Sequence, residues 1–424
     1  MRHVTRGAIV AKKTWAVLSA LALVAGTSFG TPALAQVNEV RIGVTLPLTG
    51  PAAEAGVATR QAMEMAEGEV NARGGAKLGD RRARLKVLFE DNQSKPEVGV
   101  SGAEKLITRD KIHYLISDAF HSSVTMATME LAPKYNLPVV SGQPVSEEIV
   151  KKILANKQRY RYFWKSDFGS TAYANAVFGT AQWLVEKKEL APKTKTIAFL
   201  VEDTDYGRSN VERARELFQG IGWRGVAMET VPIGHTDFYP QLGKIRAQSP
   251  DVLMTVFTAL SSGVALVKQF SELGVKAVHM AIYYPIRPEF IPQAGKASEG
   301  MLWAPLSFDP ATVAHQKEFA QKIRAKFNVV PTSDHAYGYD GIYNAVDAIE
   351  RAGSVEPAKV IEAVATIDRK GIIGRFQFDQ KLQQGKDGPD FLPVPMAQIQ
   401  NGKNVIVWPE AMAAAKYAAQ PWTK

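Results

Sequence analysis

The feature that most constrains the fold of this 424-residue chain is a repeated change in apolar period. Short β-rich runs alternate with stretches whose apolar residues recur on one helical face. Residues 40–46, 85–90, 113–116 and 137–140 read as strands, and residues 56–71, 96–109 and 122–135 as the helices between them. A second block repeats the order. Strands at 196–201, 226–231, 252–257 and 278–282 alternate with helices at 171–187, 206–219, 238–247 and 263–273. Such alternation implies parallel sheets with helices on both faces. The last third differs: helices at 311–327, 334–351 and 357–365 precede antiparallel strands at 376–378, 394–399 and 405–408, with Asn401-Gly402 as the final turn.

The N-terminus reads as a secretory leader. Arg2, Arg6, Lys12 and Lys13 precede an apolar stretch at 15–25, and Ala33-Leu34-Ala35 gives a small-residue cleavage pattern. The apolar stretch is shorter than the roughly 20 residues a membrane span needs. Cleavage after Ala35 and a periplasmic location are expected. It would also remove four basic residues from a net charge of +9. The remaining Lys and Arg are scattered among acids, which reads as solvated surface and gives no sign of nucleic-acid binding.

With 46% hydrophobic and 22% charged residues the chain is globular, and without cysteine it has no thiolate zinc site, thiol nucleophile or lipidated cysteine. Its seven histidines show no close metal spacing. Phosphate loops, H-E-x-x-H and G-x-S-x-G are absent, so neither a cofactor nor an enzyme activity is expected. Gly220-Ile221-Gly222-Trp223-Arg224-Gly225 matches G-x-G-x-x-G, but it follows a helix and precedes a strand, the reverse of a dinucleotide site. A helix cap and turn explain it better.

Three loops after strands suggest a small-molecule binder. Ile116 to Ser123 carries Phe120, His121, Ser122 and Ser123 into a helix start, where hydroxyls and free N–H groups suit a carboxylate. Tyr206 lies in Asp203-Thr204-Asp205-Tyr206-Gly207, and Tyr283-Tyr284-Pro285 follows a strand.

These residues carry a resemblance. Pro47-Leu48-Thr49-Gly50-Pro51, Glu69 to Gly75, Glu90 to Pro96, Asp203 to Gly207, Thr236-Asp237-Phe238 and Ala336-Tyr337-Gly338-Tyr339-Asp340 stand in the order of the periplasmic Leu/Ile/Val-binding protein family, which the chain resembles over nearly its whole mature length. The resemblance implies a type I periplasmic binding protein fold: two Rossmann-like lobes joined by a three-strand hinge. Lobe 1 would comprise 36–165 and 306–372, and lobe 2 would comprise 166–305 and 373–424. A ligand would sit between them, and the closed form would meet the permease of an ABC importer. The protein is expected to be a monomer.

Carried over residue by residue, the resemblance puts a family serine at His121, beside Ser122 and Ser123, and His121, Ser122 and Ser146 are expected to hold the ligand carboxylate. The family's next contact loop falls around Pro144–Ser146, with Gln143 beside it as a further candidate. Tyr206 is the tyrosine after the second-lobe strand, Asp167 an acid near the crossover, and Phe120, Phe163, Trp164 and Tyr284 possible walls. The family's first-loop tyrosine falls at Ala55. The acid that pairs a ligand ammonium falls at Tyr283. Removing one member of a buried ion pair costs about 3–5 kcal/mol. The departures therefore favour a small carboxylate with an apolar or aromatic body. An amino-acid ligand stays open if Asp118, Glu202 or Asp167 supplies the acid; so do a sensor docking on a membrane receptor and an exported hydrolase.

Overall fold

The computed structural model describes residues 37–118, 120–305 and 308–423. The expected leader, 1–35, and Ala119 lie outside the described residues. Among those described, no helix is long and apolar enough to cross a membrane.

Two sheets organise the described residues from 38 to 423. The chain first lays down β1 (Glu39–Leu46), β2 (Ala76–Leu78), β3 (Arg81–Asp91), β4 (Tyr114–Ser117), β5 (Val139–Ser141) and β6 (Phe163–Lys165). It then builds β7 (Thr196–Glu202), β8 (Arg224–Val231), β9 (Val252–Phe257), β10 (Val278–Tyr283) and β11 (Leu302–Ala304) in the second sheet. It returns to the first for β12 (Asp368–Lys370), β13 (Arg375–Asp379) and β14 (Gln384–Gly385), and ends in the second with β15 (Met396–Gln400) and β16 (Lys403–Trp408). The strand orders are β12-β13-β14-β6-β5-β4-β1-β3-β2 and β16-β15-β11-β10-β9-β7-β8. The chain therefore passes between sheets three times. The last passage lies between Gly385 and Met396, later than the expected boundary at 373, because β13 and β14 extend the first sheet beyond β6.

Both sheets are parallel at their centres. β7, β9 and β10 are buried along their whole length, as strands covered on both faces must be. Phe238, Leu242, Ile245, Phe257 and Phe270 pack one core of the second lobe, and Leu106, Leu115, Met129, Ile149 and Phe163 one core of the first. The expected helix 122–135 is two, Ser122–Thr128 and Leu131–Tyr135. Pro133 explains the break: it lacks an N–H, and its ring opposes the carbonyl of Met129. The glycine-rich run at 220–225 is the helix end and turn into β8, with Gly222 at φ 79° and the Trp223 N–H donating to the Phe218 carbonyl.

One core histidine sets an acid limit. His279 in β10 shares Nε2 with the hydroxyls of Thr255 (2.9 Å) and Tyr284 (3.2 Å), and burial holds its imidazole down at about 3. Between pH 6.5 and about 3 the unfolded chain binds a proton that the folded chain refuses. The stability this group contributes is full above that window and is lost as pH falls through it. At pH 4.5 the loss is about 3 kcal/mol. Urea melts of His279→Gln across pH 4.5–7 are expected to show a shallower acid slope, by about one proton.

Candidate functional site

The site forms where the C-terminal ends of β4, β5, β7, β8, β9 and β10 face one another, the usual ligand position of open parallel sheets. Seven of the eleven expected residues line one cavity there: Phe120, His121, Ser122, Ser123, Gln143, Tyr206 and Tyr283. It encloses about 510 Å³ of empty space, mouth included.

Each side chain is delivered by a local device. After β4 the backbone turns through Asp118 at φ 40°. Its buried carboxylate accepts the N–H groups of Phe120 (2.7 Å) and His121 (2.8 Å), which fixes both residues at the cleft. Those two N–H groups are consequently spent, and the first-turn N–H groups of the helix Ser122–Thr128 are the backbone donors that remain at this loop, beside the side chains. The Ser122 hydroxyl accepts the Ser146 N–H at 3.2 Å, joining the β4 and β5 loops.

Tyr206 rides the first turn of the helix Asp205–Gly220, capped by the Thr204 hydroxyl, which accepts from the Gly207 N–H at 3.0 Å. A Cβ on Gly207 would stand 2.1 Å from the Glu202 carbonyl oxygen. Only glycine lets this turn sit so close to the end of β7. Gly207→Ala is expected to cost about 3 kcal/mol in a denaturant melt, because the obstacle is backbone and cannot swing aside.

The cavity is short of partners. Both ring nitrogens of His121, both ends of the Gln143 amide and the Tyr206 hydroxyl are buried without a hydrogen-bond partner. One ring nitrogen of His121 stands 3.7 Å from the Asp118 carboxylate. In either neutral tautomer the imidazole carries one N–H, so three side chains bring unused donors to one space.

Glu202 lines the same cavity. Its carboxylate accepts from the Thr258 N–H at 2.7 Å, the Thr258 hydroxyl at 2.8 Å and the Ala259 N–H at 3.4 Å. Burial pushes this carboxyl up, and these bonds and His121 only partly offset it.

Four expected residues lie elsewhere. The Ser146 hydroxyl caps the helix Glu147–Ala155 through the Glu148 N–H and donates to the Asp205 carbonyl at 3.2 Å. Trp164 packs edge-on against Phe378. The Asp167 carboxylate accepts the Tyr337 hydroxyl at 2.7 Å, and burial raises it to about 7. Tyr284 is a core residue of the second lobe, against Phe257 and Phe290. Consecutive tyrosines leave the end of β10 in opposite directions, as neighbours on a strand do, and Tyr283 stands there at φ 76° and ψ −58°. Phe163 is likewise core, and Ala55 is buried in the helix Ala53–Ala72. Sequence reasoning missed Val145, Tyr173, Thr204, Ile233 and Thr258 as cavity walls. Only Thr204 and Thr258 had a signal, as polar residues directly after strands.

Comparison with known proteins places this geometry. The sequence profile of periplasmic binding proteins matches residues 39–403. Leu/Ile/Val-binding protein homolog 2 of Brucella abortus is 25% identical over 393 residues, covering 91% of this chain and 95% of that one. The branched-chain amino acid transporter substrate binding protein LivJ of Streptococcus pneumoniae, solved with isoleucine, superposes with a TM-score of 0.71 at 22% identity, over 88% of this chain and all of the other. A solute binding protein of an ABC transporter from Rhodopseudomonas palustris BisB5, solved with 3,4-dihydroxybenzoic acid, gives 0.73 at 19% identity, over 91% of this chain and all of the other. The two-lobed α/β architecture is that of type I periplasmic binding proteins, and with the profile covering most of its length the chain belongs to the periplasmic binding protein family.

Proposed function

We propose that this protein is the exported solute receptor of an ABC importer and that it binds a small carboxylate with an apolar or aromatic body. The observation that carries this reading is the set of unpartnered buried groups on His121, Gln143 and Tyr206. A buried polar group without a partner costs about 1–3 kcal/mol, so a cavity that keeps three of them is built for a ligand rich in acceptors. The rings of Phe120, Tyr173 and Tyr283 supply flat apolar walls for its body. The hydroxyl of Tyr283 is already committed to Arg287 and Asp334, so the ring is what this residue offers the ligand. Closure of the lobes on the ligand would create the face a permease recognises.

A second reading has its own observation. Glu202 is an acid in the cavity wall and is placed to receive an ammonium. A free amino acid would then span Glu202 and the donors opposite it. The solved relatives include one holding isoleucine and one holding a dihydroxybenzoate, so both chemistries occur on this fold.

A thermal-shift panel on protein unfolded and refolded to strip bound ligand separates the two. A ligand at 100 times its dissociation constant adds about 2.7 kcal/mol, a rise of a few degrees. Benzoate, 3,4-dihydroxybenzoate and phenylacetate are expected to shift the transition. Leucine, isoleucine and phenylalanine are not. Shifts with the amino acids alone would hand the site to the second reading.

A further inference from the structure

Beside the cavity the two lobes are joined by charges that both belong to the protein. Arg287 follows β10 in the second lobe. Asp334 lies in the first turn of the helix Ser333–Ala352, which packs on the first-lobe helix Ala53–Ala72. The guanidinium and the carboxylate are hydrogen-bonded and are 5% and 0% exposed. Tyr283 is held in the same bond: its hydroxyl donates to Asp334 at 2.8 Å and accepts from Arg287 at 2.7 Å. The guanidinium carbon also stands 5.4 Å from the centre of the Tyr283 ring. Tyr283 reaches this position from a γ-turn backbone of positive φ, a conformation that surrounding contacts must enforce. Its ring meets Phe120 of the other lobe, centroids 5.5 Å apart, as part of the cavity wall.

We propose that Arg287 and Asp334 are a built-in closure bond between the lobes and the positioning residues for Tyr283, so that the protein closes without a cation supplied by its ligand. The clause about the ligand rests on the carboxylate reading; the bond does not. Burying a charge pair is unfavourable unless each partner finds the other in good geometry, and here the fork of the arginine also meets the tyrosine hydroxyl. The partners sit on different lobes. Opening therefore returns both to water and leaves each lobe folded. Deleting one charge should shift the open–closed equilibrium, whereas a purely structural pair would instead lower the melting temperature with the lobes unmoved. A bond that raises the closed fraction also raises the apparent affinity of any ligand selecting the closed form.

The chain has no cysteine, so cysteines introduced at Glu97 and Lys268 carry spin labels without background. Both positions are exposed, on the helices Pro96–Thr108 and Leu260–Glu272 of the two lobes. Pulsed dipolar spectroscopy on the ligand-free protein is expected to show a closed, short-distance population in the parent. In Asp334→Asn the closed-to-open ratio should fall at least about 10-fold, with the melting temperature little changed. Arg287→Lys keeps the charge and loses the fork, and is expected to fall between the two; it decides the matter if Asp334→Asn does not fold. An unchanged distance distribution in the variants, or a parent that is wholly open without ligand, overturns the proposal. These distances are read without ligand, so a failed carboxylate panel would not alter them, and their failure would not touch the ligand assignment.

Discussion

Gln143→Leu is expected to weaken binding of a carboxylate probe by about 10- to 150-fold while making the ligand-free protein more stable, by about 1–2 kcal/mol. The two effects have one cause. Gln143 is 7% exposed, and neither end of its amide has a partner. No protein group pairs with these buried atoms, so replacing them by an apolar group of similar size removes a penalty. With a carboxylate present the amide donates a charge-assisted bond, worth about 1.5–3 kcal/mol, that leucine cannot make. Titration calorimetry with benzoate and a urea melt of refolded, ligand-free protein measure the two sides. Loss of stability together with loss of binding would show instead that Gln143 supports the loop after β5 and does not serve the ligand.

The same opposition between scaffold and site explains how much the sequence revealed. The motifs that carried the family resemblance hold backbone. Asp91 accepts the N–H groups of Leu48 (2.9 Å), Thr49 (3.2 Å) and Gln93 (2.9 Å) and thereby fixes the Pro47–Pro51 turn. Asn71 clamps both backbone groups of Leu85. Asp340 pairs with Arg369 and accepts the N–H groups of Ile372 and Ile373. Such ties need a particular side chain at a particular place, so they persist as readable words in a chain, and with the alternation of periods they made the two-lobed fold legible.

The site is written differently. Its residues come from six strand ends and one helix, and what matters is which way each side chain turns. Position after a strand singled out Phe120, His121, Tyr206 and Tyr283, and the resemblance added Gln143; all five line the one cavity. Position could not separate Tyr283 from Tyr284: alternation along a strand turns one to the cavity and the other to the core, and the partners that take each lie elsewhere in sequence, as Asp334, 51 residues away, takes the Tyr283 hydroxyl. Asp167 and Trp164 looked like cleft residues for the same reason: they lie near a crossover in sequence, but Tyr337 and Phe378 cover them from the other end of the chain. Tyr173 gave no signal at all, since an aromatic on a helix reads as core until the neighbouring lobe is in place.

Glu202→Gln is the variant on which the ligand assignment turns. The other acids near the cleft are occupied: Asp118 by two backbone N–H groups, Asp167 by Tyr337, Asp334 by Arg287 and Tyr283. Glu202 alone among these faces the cavity, and the Thr258 and Ala259 bonds that anchor it need only an acceptor, which glutamine supplies. If the ligand is an amino acid, the substitution strips a buried ammonium of its partner. Affinity should then fall by about 3–5 kcal/mol, some 200- to 5,000-fold. If the ligand is a carboxylate without an ammonium, the substitution removes a like charge, and affinity should hold or rise. The pH dependence gives the same answer independently. Burial raises the Glu202 carboxyl, so its proton is retained to higher pH than an ordinary carboxyl's. An anion binds better to the protonated form, and the parent's affinity for benzoate should decline as pH rises through this titration. In Glu202→Gln that decline should vanish. A zwitterion requires the opposite sign, with affinity in the parent growing as Glu202 ionises and only the parent showing the gain. Calorimetric titrations of parent and variant with benzoate and leucine across a pH series read both the size and the sign, and a leucine affinity that collapses in the variant would assign this receptor to amino acids.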